Sequence, residues 1–158
     1  MKRRIFLDTN IVIDYLSKRE PFGEDALRIF SLFPKYHQLC ISALSFTTIY
    51  YVLRKHFGQE QLLEMLASLQ RLVEVLPTDE EMILLAIHSE FTDFEDAVQY
   101  YTALNGNCAI VITRNPKDFQ KSELPVYTPS EFLSIPFWTN DGGNTFLNEP
   151  EVEYRAEN

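Results

Sequence analysis

Ala109-Ile110-Val111-Ile112 runs straight into Thr113-Arg114-Asn115-Pro116-Lys117-Asp118, and this passage decides the architecture. Four apolar residues in a row, preceded by the helix-closing Gly106 and followed by turn-forming polar residues, read as a strand. An unbroken apolar strand has no wet face. It belongs in the middle of a parallel sheet with helices covering both sides.

The flanking sequence supplies those helices. Immediately upstream, Thr92-Asp93-Phe94-Glu95 has the form of a capping box opening a helix through Ala97, Val98, Tyr101 and Leu104. A second box, Thr78-Asp79-Glu80-Glu81, opens a helix through Met82, Leu85 and Ala86. Before that, Gln61 to Leu69 is an amphipathic helix and Leu72-Val73-Glu74-Val75-Leu76, ending at Pro77, a strand. Leu39-Cys40-Ile41 is another strand, with Ser42 placed to cap a helix whose apolar face includes Leu44, Ile49, Val52, Leu53 and Phe57. At the start, Ile5-Phe6-Leu7 stops at Asp8, after which Ile11, Val12, Tyr15 and Leu16 recur at helical spacing. Pro21 and Gly23 interrupt that helix, and Ala26, Leu27, Phe30 and Phe33 mark a second one ending near Pro34. Downstream, Pro125-Val126-Tyr127 makes an edge strand, and Thr128-Pro129-Ser130-Glu131 combines an N-cap, an N1 proline and a capping glutamate.

Strands alternating with helices predict an α/β fold, a three-layer α/β/α sandwich around a mostly parallel sheet of about five strands. Residues 1–136 form one domain by this reading. Residues 137–158, which carry Asp141, Glu149, Glu151, Glu153 and Glu157 against Arg155 alone, form an acidic C-terminal extension with little core of its own.

Composition narrows the setting. The 158 residues are 46% hydrophobic, as in an ordinary globular protein. Met1-Lys2-Arg3-Arg4 resembles the flank of an export signal, but Asp8 ends the apolar run too early, and no other stretch is long enough to span a bilayer. Cys40 and Cys108, each inside an apolar run and outside any CxxC pair, read as buried free thiols. A cytoplasmic protein is expected. The net charge of -9 argues against tight nonspecific binding to nucleic acid, which rests on clustered cations.

In an open parallel sheet, ligands bind outside the carboxyl ends of the strands, near the point where strand order reverses. The first strand delivers Asp8-Thr9-Asn10 there, the Ala109–Ile112 strand delivers Thr113 to Asp118, and the preceding helix begins with Asp93 and Asp96. Clustered carboxylates repel one another unless protonated or bound to cations, and hard oxygen ligands suit Mg²⁺ or Mn²⁺. Such ions activate water for phosphodiester hydrolysis with no nucleophilic side chain. Taken singly each acid has a plainer reading: Asp8 as a helix cap, Asp96 as a solvated residue, Asp118 as part of a turn. Their joint placement makes the case. Glu95, at the capping-box position, is expected to turn back to Thr92. His37, His56 and His88 have no spacing partner, and Arg54, Lys55 and Lys121 fit solvated faces.

Phe6-Leu7-Asp8-Thr9-Asn10-Ile11-Val12-Ile13-Asp14, Ile41-Ser42-Ala43-Leu44, Asp93-Phe94-Glu95-Asp96-Ala97 and Ile112-Thr113-Arg114-Asn115-Pro116-Lys117-Asp118-Phe119 together resemble the PIN domain family, in its bacterial toxin-like branch. The resemblance spans roughly Arg4 to Leu133. It implies a Mg²⁺- or Mn²⁺-dependent endoribonuclease, with Asp8, Asp96, Asn115 and Asp118 at the catalytic centre and Asp8, Asp93, Asp96 and Asp118 as the metal-binding acids. Thr9, Asn10 and Thr113 would support these, Asp14 would point elsewhere, and Arg114 and Lys117 flank the site as contacts to RNA. It also implies a homodimer and an antitoxin partner. The family usually places a glutamate where this chain has Thr48. A PIN-fold binding module without catalysis is the alternative. A haloacid-dehalogenase-like phosphatase with Asp8 as nucleophile would want a second aspartate two residues on, where Asn10 stands.

Overall fold

A computed structural model describes residues 2–32 and 36–135 of the chain. Its centre is β1 (Arg3–Leu7), the short apolar run that Asp8 terminates. On one side β1 pairs with β2 (His37–Ser42), which pairs with β3 (Glu74–Leu76). On the other side lies β4 (Ile110–Ile112), followed by β5 (Val126–Tyr127). The order is β3-β2-β1-β4-β5, with every pairing parallel. The five expected strands are all present.

Side chains alternate across the sheet as the pleat requires. Ile5, Leu7, Leu39, Ile41, Ile110 and Ile112 face one layer, which contains α1 (Thr9–Ser17), α2 (Gly23–Leu32), α3 (Ala43–Leu53), α4 (Gln59–Leu72) and α7 (Pro129–Ser134). Phe6, Cys40 and Val111 face the other and pack on Tyr100 and Ala103 of α6 (Phe94–Asn105); α5 (Glu80–Ile87) joins α6 through Ala86, Ala97 and Val98. Each large side chain buried this way, Phe6 and Phe132 among them, contributes roughly 1.5–3 kcal/mol. Three layers follow from the sequence pattern, as expected.

Several local expectations shift. The strand anticipated from Leu72 starts at Glu74, because Leu62, Leu69 and Val73 keep one helical stripe and α4 runs on to Leu72. Two capping boxes begin one residue later than read. Asp79 caps α5 and Asp93 caps α6, the latter by accepting from the Asp96 amide at 3.0 Å. Thr78 is freed from capping, and its hydroxyl lies between those of Ser42 (2.9 Å) and Thr102 (2.8 Å). Ser42 caps α3, and Thr128 with Glu131 forms the full capping box of α7. The end of the second expected helix at Pro34, and the proposed extension 137–158, lie outside the described residues.

One topological fact positions the site. The chain winds from β1 outward to β3 and then crosses back to lay β4 against the far edge of β1. The strand order therefore reverses between β1 and β4, whose carboxyl ends carry Asp8 and Thr113.

Candidate active site

Asp8 ends β1 and caps α1, and it is buried to 3% exposure. A carboxylate so deeply placed needs donors. Oδ2 accepts from the Thr113 hydroxyl at 2.8 Å, and Oδ1 from the Gln99 amide at 3.1 Å and the Asn10 backbone at 3.4 Å. Burial nevertheless wins over these bonds and over the nearby Arg114 charge, and pushes the Asp8 carboxyl up. Gln99 Oε1 meanwhile accepts from the Thr9 backbone at 2.9 Å and its hydroxyl at 3.1 Å, and that hydroxyl also meets Ser45 of α3 at 2.8 Å. Thr113 thus bonds Asp8 directly, whereas Thr9 reaches it only through Gln99. Asn10 gives its backbone amide to Asp8, while its side chain lies on an exposed residue.

The first turn of α6 brings further acid. Burial, and then the charges of Asp8, Asp93, Asp118 and Glu95, push the Asp96 carboxyl up to about 7. Asp96 therefore feels four other acids, brought together by the end of β1, the start of α6 and the 3₁₀ turn Pro116–Phe119 that follows β4. Asn115 donates its side-chain amide to Asp118, and its backbone amide reaches the Thr113 hydroxyl at 3.1 Å. Among the described residues no three acidic, histidine or cysteine side chains stand close enough to enclose a metal ion. The acids line the strand ends without closing on a point. The donor set itself is all oxygen, which suits a hard divalent ion, and the repulsion registered at Asp96 is what such an ion relieves.

Glu95 does not behave as the capping box suggested. With the helix starting one residue later, its carboxylate is released from Thr92 and lies toward the Thr48 hydroxyl of α3, which eases its charge. Burial and the charges of Asp8 and Asp93 push it up as well. A carboxylate from α6 thus stands at the very residue of α3 where the sequence lacks one.

Asp14, expected to point away from the metal-binding acids, has a specific partner. It is wholly buried on α1 and faces Arg114, with Arg114 Nε 3.0 Å from Asp14 Oδ2. Burial pushes the Asp14 carboxyl up despite the Arg114 and Arg19 charges. Helical spacing from Asp8 did not reveal this, because the partner arrives from the loop after β4. Gln99 was missed too, although it follows Asp96 by three positions and so shares its face of α6. Lys117 lies exposed on the 3₁₀ turn. Lys121 pairs with Glu90 at 3.0 Å, and Cys40 and Cys108 are free and buried. His37 proves buried in β2, its imidazole lowered to about 4 by burial and by Arg3 and Lys2, whereas His56 and His88 are exposed.

A family model of the PIN domain matches residues 4–117, taking in β1 from Arg4, β4 and every acid of the site except Asp118. The chain belongs to the PIN domain family. Within it, the chain is 29% identical over 137 residues to ribonuclease VapC1 of Aquifex aeolicus (strain VF5), spanning 82% of this chain and 92% of that one. Among solved PIN structures, a toxin-antitoxin complex from Klebsiella pneumoniae matches with TM-score 0.60 and 27% identity, covering 79% of this chain and 97% of the other. VapBC-1 of nontypeable Haemophilus influenzae matches with TM-score 0.61 and 26% identity over 80% and 98%. The expected PIN-like α/β fold is the fold observed. Among the described residues no helix is long and apolar enough to cross a membrane.

Proposed function

We propose that this PIN domain is a metal-dependent endoribonuclease and the toxin of a toxin-antitoxin pair, acting in the cytoplasm. The observation that carries the reading is the placement of Asp8 at the strand-order reversal, with Asp96 held up to about 7 by its acidic neighbours. Asp8, Asp96, Asp93 and Asp118 are the acids we assign to Mg²⁺ or Mn²⁺, and Asn115 steadies Asp118 through its side-chain amide. Glu95, lying toward Thr48, is a fifth candidate oxygen donor and would offset the absence of an acid on α3. When bound, the ion supplies an activated water and neutralises charge on the phosphate. The chain's own work is orientation: Thr113 and Gln99 fix both oxygens of Asp8, and Thr9 and Ser45 fix Gln99.

Relatives named ribonuclease VapC1 and toxin-antitoxin complex support RNA as substrate and a small antitoxin as partner. Exposed Leu84, Leu85 and Ile87 on α5, with Phe94 opening α6, support a second copy of the chain as a further partner. Two buried free thiols suit a reducing compartment.

The test is cleavage of single-stranded RNA by metal-stripped protein after adding Mn²⁺ or Mg²⁺. Wild type should cut, and Asp8→Asn and Asp96→Asn should lose at least roughly 100-fold in rate. Undiminished activity in both variants defeats the assignment. A second reading, a PIN-fold binding module without catalysis, draws on Thr48 and on the open spacing of the acids. It requires that calorimetry find no saturable Mn²⁺ binding. Binding that Asp8→Asn abolishes rules that reading out.

A further inference from the structure

Arg114 sits between a buried anion and an aromatic face. Its Nε lies 3.0 Å from Asp14 Oδ2, and its guanidinium carbon is 4.3 Å from the centre of the Phe22 ring. Asp14 has almost no exposed side chain, whereas Arg114 keeps about a fifth of its own open (1% against 22%). The contact is not aligned as a hydrogen bond. Both carboxylate oxygens of Asp14 and Nε of Arg114 are buried without a well-directed partner. An ion pair buried for structure alone gains most from the parallel, two-point alignment of guanidinium with carboxylate. This pair forgoes it, and the η nitrogens of Arg114 donate to no described residue. Arg114 directly follows Thr113, which holds Asp8, and its charge is felt at Asp8.

From this arrangement we infer that Arg114 receives a non-bridging oxygen of the RNA phosphate through its free η nitrogens, and that Asp14 and Phe22 are positioning residues that aim it. The inference rests on the ribonuclease reading for its substrate. Asp14 fixes one edge of the guanidinium, Phe22 covers one face, and the remaining edge is left for an anion. In a site crowded with carboxylates, a cation held this way is the local charge that lets a phosphate approach.

Charge alone and aim predict opposite signs for Asp14→Asn. Removing an anion beside the site should tighten RNA binding if only charge matters. If Asp14 aims Arg114, kcat should fall by roughly 100-fold, since misplacement by about 1 Å costs that much, and the loss should vanish in an Arg114→Ala background. Binding of a labelled single-stranded RNA oligonucleotide, followed by anisotropy in EDTA and again in Ca²⁺, tests Arg114 independently of cleavage. Arg114→Ala should weaken binding and flatten the dependence of log affinity on log salt by about 0.7, the share of one phosphate contact on a single strand. Arg114→Lys should keep that slope yet lose cleavage, and it serves as the second variant should Asp14→Asn fail to fold. Wild-type affinity and slope in Arg114→Ala overturn the phosphate contact. Wild-type kcat in Asp14→Asn, or full cleavage by Arg114→Lys, overturns the aiming role. If the wild-type chain does not cut RNA, the ribonuclease reading falls, and the slope comparison still decides Arg114.

Discussion

Asp96 is the residue at which the site reports on itself. Its carboxyl, raised to about 7 from an ordinary value near 4, prefers the protonated form in the folded chain. A raised acid contributes stability that is complete below the unfolded value and is lost as pH climbs through the folded one. The melting temperature of metal-free protein at pH 5 less that at pH 8 should therefore be more positive in wild type than in Asp96→Asn, read by differential scanning fluorimetry in EDTA. His37, lowered to about 4, opposes this from its unfolded value near 6.5 downward, but it does so equally in both proteins, so the difference between wild type and variant isolates Asp96. Saturating Mn²⁺ should raise the melting temperature more at pH 8, where the acids are ionised, than at pH 5. An identical pH response in wild type and Asp96→Asn contradicts the account. Asp8 and Asp96 were legible in the sequence because strand ends in a parallel sheet collect ligands. Gln99 and Asp14 were not, since a buried amide and a buried acid look ordinary until their distant partners, Asp8 and Arg114, come into view.

Elements fix where these side chains point. α6 carries Asp93, Asp96 and Gln99 at three-residue intervals, so a single helix face delivers a cap, an acid and an amide. The turn between α1 and α2 is nearly as consequential, because it seats Phe22 beneath Arg114. Gly23 starts α2 there, and a β-carbon on it would lie 2.7 Å from the Lys18 carbonyl carbon. Backbone cannot yield as a side-chain tip does. Gly23→Ala should thus cost about 1–3 kcal/mol in a denaturant melt, and it should shift Phe22 enough to weaken RNA cleavage as well; an unchanged midpoint would contradict the clash. At this scale the sequence predicted the kind of each element well and its first residue less well. Thr78 and Thr92 satisfied the capping pattern, yet Asp79 and Asp93 took the caps, because Thr78 was drawn into a hydroxyl chain with Ser42 and Thr102. That chain ties two strand ends to α6, and no local pattern announces it. The one-residue slip has a chemical consequence, since it frees Glu95 to reach Thr48.

The whole molecule carries a net charge of -9, unusual for a protein that handles RNA. Few cations flank the acids, chiefly Arg114 and Lys117, so counterion release on binding should be slight. With two phosphate contacts on a single strand, the slope of log affinity against log salt should be no steeper than about -1.4, measurable by anisotropy across a salt series. A steep slope would point to phosphate contacts beyond Arg114 and Lys117. Five strands and three layers were read from alternation alone, whereas the strand order and its reversal between β1 and β4 came only with the structure. Charge complementarity to a partner was not legible, because it depends on surfaces rather than periods.

Asp8 caps α1 and stands among the acids at the same time. Asparagine caps a helix about as well as aspartate, and its amide can meet both Gln99 and the reorientable hydroxyl of Thr113. Losing the charge therefore costs the scaffold little, and at neutral pH it relieves a burial penalty. On the proposed assignment of Asp8 to the metal, descendants of such a chain can fall silent by a single exchange and still be inherited as sound folded proteins, so shape and cutting are free to part ways in evolution.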